Sequence, residues 1–93
     1  MRTMRELFLG TLTLADEAGE RRGYDYYITI DEMEVGSCVC ESYGIGVKQK
    51  EGGERAAVRN VTCSARRIHE LGRLVMEGGV TPVTLRDVVE DWL

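Results

Sequence analysis

Three cysteines and a single histidine are the residues whose types and spacing are most distinctive for chemistry in this chain. Cys38 and Cys40 are separated by one residue, which places both thiols on the same face of an extended strand. Cys63 ends a later strand-like segment, and His69 falls in the second turn of the helix that follows. Zinc takes four ligands of this kind in a tetrahedron, so these four residues are the candidate metal ligands.

The same residues also have a simpler interpretation, which we favour. The Cys-x2-Cys pair typical of zinc-binding turns is missing, and His69 lies off the apolar face of its helix. A reducing cytosol keeps thiols free, and free cysteines pack as small apolar residues. We therefore expect three free, half-buried cysteines, a surface histidine, and no metal or other cofactor.

A catalytic site is not indicated by any pattern in the chain. The single histidine has no Gly-x-Ser-x-Gly motif, phosphate-binding loop or paired carboxylates to act with. The segment Tyr43-Gly44-Ile45-Gly46 lacks the third glycine and the following helix of a nucleotide-binding loop. The acidic segment from Asp31 to Gly36 is interpreted as a solvated loop rather than as a site for a hard cation. We therefore expect no catalytic residues and a protein that is not an enzyme.

Four basic side chains form the strongest candidate for binding an anionic partner, because a row of positive charges attracts phosphate or acidic protein. They are expected on one face of a hairpin and are Lys48, Lys50, Arg55 and Arg59. No aromatic side chain is interleaved to stack on bases, and the net charge of −4 opposes non-specific nucleic-acid binding. Opposed like charges also discourage edge-to-edge pairing of sheets, so this basic stripe has a structural explanation as well.

Aromatic residues are concentrated in the second predicted strand. Tyr24 and Tyr26 alternate toward the predicted core face, whereas Tyr27 points to the opposite face. Aromatic side chains in such positions are enriched at protein–protein contacts, so Tyr27 is the candidate interface residue. The alternative is that a neighbouring loop covers Tyr27.

Hydrophobic alternation predicts four strands in the first two thirds of the chain. The first strand has leucine and phenylalanine on both faces, and the second alternates cleanly. The glycines at 52 and 53 are predicted to form a two-residue hairpin turn. That turn would place Val47 opposite Val58 and leave one face of the hairpin apolar and the other basic. The predicted strands are Glu6–Leu14, Tyr24–Ile30, Ser37–Lys50 and Glu54–Cys63.

The last third of the chain predicts two helices. Ser64 is the expected N-cap of the first, and Gly78 is expected to end it in a left-handed conformation. A second helix follows Thr84, which forms a capping-box-like pair with Asp87, and turns Trp92 inward. The apolar stripe of the first helix comprises Ala65, Ile68, Leu71, Leu74 and Val75.

Together these elements predict a single α+β domain over residues 1–93, in which a four-stranded antiparallel meander carries two C-terminal helices on one face. The apolar fraction of 43% and charged fraction of 30% are those of a soluble globular domain. The apolar runs are far shorter than the ~20 residues that span a bilayer. The basic start of the chain lacks the apolar segment of a signal peptide, so we expect a cytoplasmic protein.

A resemblance to a known family lies mainly in the end of the chain, which reads Val80-Thr81-Pro82-Val83-Thr84-Leu85-Arg86-Asp87-Val88-Val89-Glu90-Asp91-Trp92-Leu93. Further matching pieces are Tyr26-Tyr27, Tyr43-Gly44-Ile45 and Val58-Arg59-Asn60-Val61. In these residues the chain resembles a family of small uncharacterised proteins from Firmicutes-type bacteria. The resemblance implies a bacterial cytosolic domain with this order of strands and helices. That family has no assigned activity, cofactor or catalytic residues, so no site residue follows from it.

No stretch of the sequence assigns a function directly. We expect a small non-enzymatic interaction module that associates with itself or with another protein, because a core this small gains stability from association. The first alternative is an anion- or nucleic-acid-binding module that uses the basic hairpin face. The second alternative is a Cys/His metal-binding protein.

Overall fold

The computed structural model describes residues 4–93 except for the side chain of Val35, so the basic start of the chain at residues 1–3 lies outside the description. Four antiparallel strands form one sheet in the order β1-β2-β3-β4, and two helices follow. The predicted α+β meander is confirmed. No helix among residues 4–93 is long and apolar enough to cross a membrane. The elements are β1 (Met4–Ala15), β2 (Arg21–Val35), β3 (Cys38–Gln49), β4 (Arg55–Thr62), α1 (Ala65–Glu77) and α2 (Leu85–Trp92).

Strand β1 contains a bulge that explains its irregular pattern of leucines. Its pairing with β2 is regular through Phe8 and resumes at Gly10, which leaves Leu9 as the extra residue. Because one extra residue inverts the alternation, the positions that face the helices change from odd to even numbers. Leu12 and Leu14 therefore pack against the core on the same face as Leu9.

The pairing of β3 with β4 differs from the predicted register by two residues. Val47 lies opposite Ala56 and not opposite Val58. The amide of Gln49 donates a hydrogen bond to the carbonyl of Glu54 at 2.9 Å. Residues 50–53 lie between these two partners, so the loop around the two glycines is wider than predicted. A shift of two residues preserves the alternation of side chains, so the apolar and basic faces remain as predicted.

Helix α1 has the predicted N-cap but a different C-terminal geometry. The hydroxyl of Ser64 accepts a hydrogen bond from the amide of Arg67 at 3.2 Å. At the other end, Gly78 has a φ of −79°, and it is Gly79 that adopts a left-handed φ of 62°. The prediction for Gly78 is therefore wrong by one residue, and Gly79 supplies the conformation that commonly ends a helix.

The buried face of α1 is rotated relative to the predicted stripe. Leu74 is 49% exposed, and Ala65 is also exposed. Gly72 lies against the sheet in their place, and a β-carbon at Gly72 would lie 2.7 Å from Cδ1 of Leu9. The helix therefore approaches β1 closely at Gly72, which requires a residue without a side chain. The buried residues of α1 are Ile68, Leu71, Gly72 and Val75.

Helix α2 packs on β4 and α1 through Leu85 and Val89, which are buried. Trp92 is half-buried, and the guanidinium carbon of Arg67 lies 4.5 Å from the centre of its ring. This cation–π contact joins the two helices on their solvent side. The predicted capping box is wrong, because Thr84 makes no side-chain hydrogen bond to the start of the helix.

The hydrophobic core lies between the inner face of the sheet and α1, with α2 closing one side. Its aromatic members all come from β2, and its aliphatic members come from β2, β3 and both helices. The buried core residues are Tyr24, Tyr26, Ile28, Ile45, Val47, Ile68, Leu71, Val75, Leu85 and Val89.

Tyr26 connects the sheet to the segment between the helices, and its hydroxyl donates a hydrogen bond to the carbonyl of Val80 at 2.9 Å. Burial, with a smaller contribution from Tyr24, raises the pKa of Tyr26 above its ordinary value of 10.0. Folding therefore favours the neutral phenol. Its contribution to the free energy of unfolding is complete below the ordinary pKa of tyrosine and is lost as the pH rises through the raised pKa of Tyr26. We expect Tyr26→Phe to lower the free energy of unfolding by about 1 kcal/mol near neutral pH, through the lost hydrogen bond.

Urea denaturation near neutral pH and above pH 10 tests both parts of this expectation. The wild-type protein should lose stability between the two conditions more steeply than Tyr26→Phe. An identical pH dependence in the two proteins would contradict the role assigned to Tyr26.

Among residues 4–93, strands β2 and β3 continue beyond the other strands as a two-stranded arm, residues 32–41. Within the described part of the chain, β2 and β3 pair only with each other beyond Asp31 and its partner Ser42. The prediction of an acidic loop over residues 31–36 is wrong, because β2 runs to Val35 and Gly36 makes the turn with a φ of 64°. The arm contributes to an elongated molecule of 53 × 25 × 18 Å.

Candidate functional site

The basic stripe lies on the open face of the sheet, but one of its four charges is used within the fold. Arg59 forms an ion pair with Asp31, in which Nε also donates to Oδ2 at 3.1 Å. Asp31 is only 7% exposed. The hydrogen bond that Arg59 donates to Asp31, together with the negative charge of Asp31, raises the pKa of Arg59 above its ordinary value. Arg59 therefore links β4 to β2 across β3 and offers little charge to an external anion.

The other three basic residues remain exposed, each with a different neighbour. Lys48 lies opposite Asp25 on β2, and its Nζ is 5.7 Å from the centre of the Tyr27 ring. Arg55 lies opposite Lys48 on β4, and Lys50 follows the end of β3. The stripe is therefore shorter and less positive than the sequence indicates. Anion or nucleic-acid binding by these residues stays a prediction.

Tyr27 lies on the open face, as its position in the alternation predicts, but it is only 3% exposed. Its ring occupies the space left by Gly46 on the neighbouring strand. A β-carbon at Gly46 would lie 2.6 Å from the phenolic oxygen of Tyr27. Tyr27 is thus covered by its own sheet, and it has little surface to contribute to the interface for which it is the sequence candidate.

The structure does not bring the four candidate metal ligands together. Cys38 and Cys40 lie on the arm, Cys63 lies between β4 and α1, and His69 lies on α1. The Nδ1 of His69 is 2.8 Å from the carbonyl oxygen of Ala65 in the preceding turn. Across residues 4–93, no three side chains of His, Cys, Asp or Glu are placed to hold a metal ion. The interpretation of these four residues as a single metal site is therefore wrong.

All three cysteines are free and exposed, so the expectation that they are half-buried is wrong. For Cys38 and Cys40 the physical reason is their position on the arm, beyond the part of the sheet on which α1 packs. Met33 on β2 lies directly opposite Cys40, a neighbour that the sequence analysis missed. The predicted loop over residues 31–36 removed Met33 from the sheet, so its register could not be assigned.

Clefts on the described surface include the following two. One, of about 130 Å³, lies at the β1–β2 turn, where Arg21, Arg22 and Gln49 contribute to its lining. The other, of about 280 Å³, lies between the β3–β4 loop and Pro82-Val83. Neither cleft is lined by His69 or by a cysteine. The candidate metal ligands are therefore not gathered in either of these two clefts.

The first half of β1 is an exposed apolar edge, which we name the β1 edge and define as residues 4–8. Strand β1 is at one end of the sheet order, with β2 as its neighbour within residues 4–93. Every residue of the β1 edge is exposed, including Met4 at 49%, Leu7 at 43% and Phe8 at 63%. The apolar residues on both faces of the first predicted strand were the sequence signal for this surface.

Comparison with known proteins shows the family of the chain but finds no relative of known function. No curated protein and no solved structure matches the chain significantly. The Firmicutes-type origin implied by the resemblance stays a prediction. A model of a family of unknown function, DUF6514, matches residues 5–93. Because this match covers almost the whole chain, the protein belongs to that family.

Proposed function

We propose that this protein is a small, non-enzymatic, cytoplasmic interaction module that self-associates by pairing the β1 edges of two copies. The observation that carries the proposal is the exposure of all five residues 4–8 on an edge strand, three of them large and apolar. An unpaired strand edge is a template for another strand. Burial of exposed apolar side chains stabilises such pairing by about 25 cal/mol for each Å² removed from water.

The β1 edge is better suited to pairing than the opposite edge, β4. Strand β4 has 8 residues, and its register breaks near Asn60, which has a left-handed φ of 58°. It also carries Arg55 on the open face of the sheet, beside Arg59, which is paired with Asp31. Short length, irregular backbone and charge are the features that protect strand edges from pairing. Strand β1 has 12 residues and pairs regularly through Phe8.

A second copy of the chain is the partner that fits this edge. Antiparallel pairing of two identical edges uses one two-fold axis perpendicular to the sheet, so that a single symmetric contact satisfies both edges. This axis places the helix-covered faces of the two copies on one side of the joined sheet and their open faces on the other side. Leu7 of both copies would then lie on the helix-covered face, and Phe8 of both copies would lie on the open face.

We expect the double substitution Leu7→Lys with Phe8→Lys to produce a monomer, because lysines on an edge oppose strand pairing. The dissociation constant should rise by at least about 100-fold, which corresponds to about 2.8 kcal/mol. Gel filtration with light scattering, supported by native mass spectrometry, measures the subunit count over a concentration series. Both positions are well exposed, so circular dichroism should show an unchanged fold.

The matched control is Leu74→Lys with Val83→Lys, which adds the same charges at apolar positions that are 49% and 76% exposed. This control should associate like the wild-type protein. A wild-type chain that stays monomeric at high micromolar concentration would contradict self-association. Equal loss of association in the two double variants would contradict the choice of the β1 edge.

A further inference from the structure

Three sulfur-containing side chains lie on one face of the arm. Cys38 and Cys40 are alternate residues of β3, and Met33 on β2 lies directly opposite Cys40. Directly opposed residues of antiparallel strands project from the same face, with their β-carbons about 4.5–5.5 Å apart. We propose that these three residues form a binding site for Cu(I).

The spacing of the two cysteines suits a bridging ion better than a disulfide. Strands rise about 3.3 Å per residue, so the α-carbons of Cys38 and Cys40 are about 6.6 Å apart and their side chains are parallel. A disulfide requires β-carbons about 3.8 Å apart, which this strand does not allow without distortion. An ion with bonds of roughly 2.3 Å to each sulfur holds two sulfurs up to about 4.6 Å apart. Parallel thiols reach that separation by side-chain rotation.

The ligand types favour Cu(I) over zinc. Thiolate and thioether sulfurs are soft ligands that select Cu(I), whereas structural zinc requires four ligands drawn from cysteine, histidine and carboxylates. The described residues supply no third ligand of the zinc type at this position. Binding forms two copper–thiolate bonds and one copper–thioether bond, and two thiol protons pass to the buffer. Copper remains Cu(I), so no oxidant or reductant takes part.

Both cysteines are open to solvent, and Met33 is half-buried beside them. The arm also carries Glu32 and Glu34, whose negative charge raises the local concentration of cations, and Glu41, whose charge is paired with Arg5. These carboxylates alternate with the sulfur residues and so lie on the other face of the arm. They therefore attract a cation without competing as hard ligands.

Anaerobic titration of the fully reduced chain with Cu(I), against a chromophoric Cu(I) chelator, tests the proposal. We expect one Cu(I) per chain, which zinc at equal concentration does not displace. Cys38→Ser and Cys40→Ser should each weaken Cu(I) binding by at least about tenfold, or 1.4 kcal/mol. Met33→Leu keeps the size of the side chain and should also weaken binding, because it removes the thioether.

The matched control is Cys63→Ser, which removes the remaining exposed thiol and should bind Cu(I) like the wild-type chain. Failure of the chain to retain Cu(I), or equal weakening by Cys63→Ser, would overturn the site. Unchanged binding in Met33→Leu would remove Met33 from it. The copper site does not depend on self-association, so the variant with lysines at positions 7 and 8 should still bind one Cu(I).

Discussion

Replacing Gly44 with alanine is expected to lower the free energy of unfolding by about 3 kcal/mol, at the upper end of the cost of overpacking. A β-carbon at Gly44 would lie 2.6 Å from the α-carbon of Arg59 and 2.5 Å from Oγ1 of Thr29, and it would clash with the carbonyl oxygen of Val58. Two of these atoms belong to the backbone of β4, which cannot move without opening the β3–β4 pairing. Urea denaturation followed by circular dichroism measures the loss.

Two other glycines provide graded comparisons for this prediction. At Gly46 the obstacle is the ring of Tyr27, a side chain that can rotate away, so Gly46→Ala should cost less than Gly44→Ala. The cost of Gly46→Ala should also fall in a Tyr27→Ala background, because the ring is then absent. At Gly53 no atom lies within 4 Å of an added β-carbon, so Gly53→Ala should be nearly neutral. Equal effects at all three positions would contradict the close approach of β4 to β3.

Truncating Leu71 to alanine is expected to lower the free energy of unfolding by about 2–5 kcal/mol, through lost burial and the cavity that remains. Leu71 is fully buried on the sheet-facing side of α1. Domains of this kind are stable by only about 5–15 kcal/mol in total, so this single change removes a large share. Thermal and urea unfolding of the purified variant measure the effect.

Leu74→Ala is the matched control, since it makes the same change of residue three positions along the same helix. Leu74 is 49% exposed, so this change should alter the free energy of unfolding by less than about 0.5 kcal/mol. The intrinsic helix propensity changes equally in both variants and cancels in the comparison. Similar losses in the two variants would contradict the observed orientation of α1 on the sheet.

The elements of this fold were predictable because each is encoded by neighbouring residues. The alternation from Tyr24 to Ile30 and the hydroxyl of Ser64 before an apolar stripe are local signals, and the structure has a strand and a helix at these places. The two faces of the β3–β4 hairpin were also predictable, since they depend only on odd and even numbering. An error of two residues in the register leaves such faces unchanged.

The errors in burial concern contacts between residues that are distant in the sequence. Asp31 reads as a loop residue, because the partner that stabilises its burial, Arg59, lies on another strand. Gly72 reads as a neutral position, and only the packing of Leu9 shows that the helix faces the sheet there. The inward face of α1 was therefore assigned to Leu74, which is apolar but exposed.

The candidate sites were less predictable than the fold, because they depend on register across strands. The pairing of Met33 with Cys40 requires β2 to continue to Val35, where the local sequence is acidic and resembles a loop. The burial of Tyr27 requires Gly46 to be its neighbour on β3, and the sequence analysis assigned no register between β2 and β3. Charge and aromatic content are visible in a sequence, but the neighbours of each side chain are not.

The order of the elements has a consequence during protein synthesis. All four strands are translated before α1, whose Ile68, Leu71 and Val75 cover the inner face of the sheet. A ribosome adds about 5–20 residues per second, so the stretch from residue 50 to residue 75 takes roughly one to five seconds. For that length of time the side chains of Tyr26, Ile28 and Ile45 have no helix to pack on. The finished protein hides this surface, and it is the nascent chain that is exposed to aggregation and to chaperones.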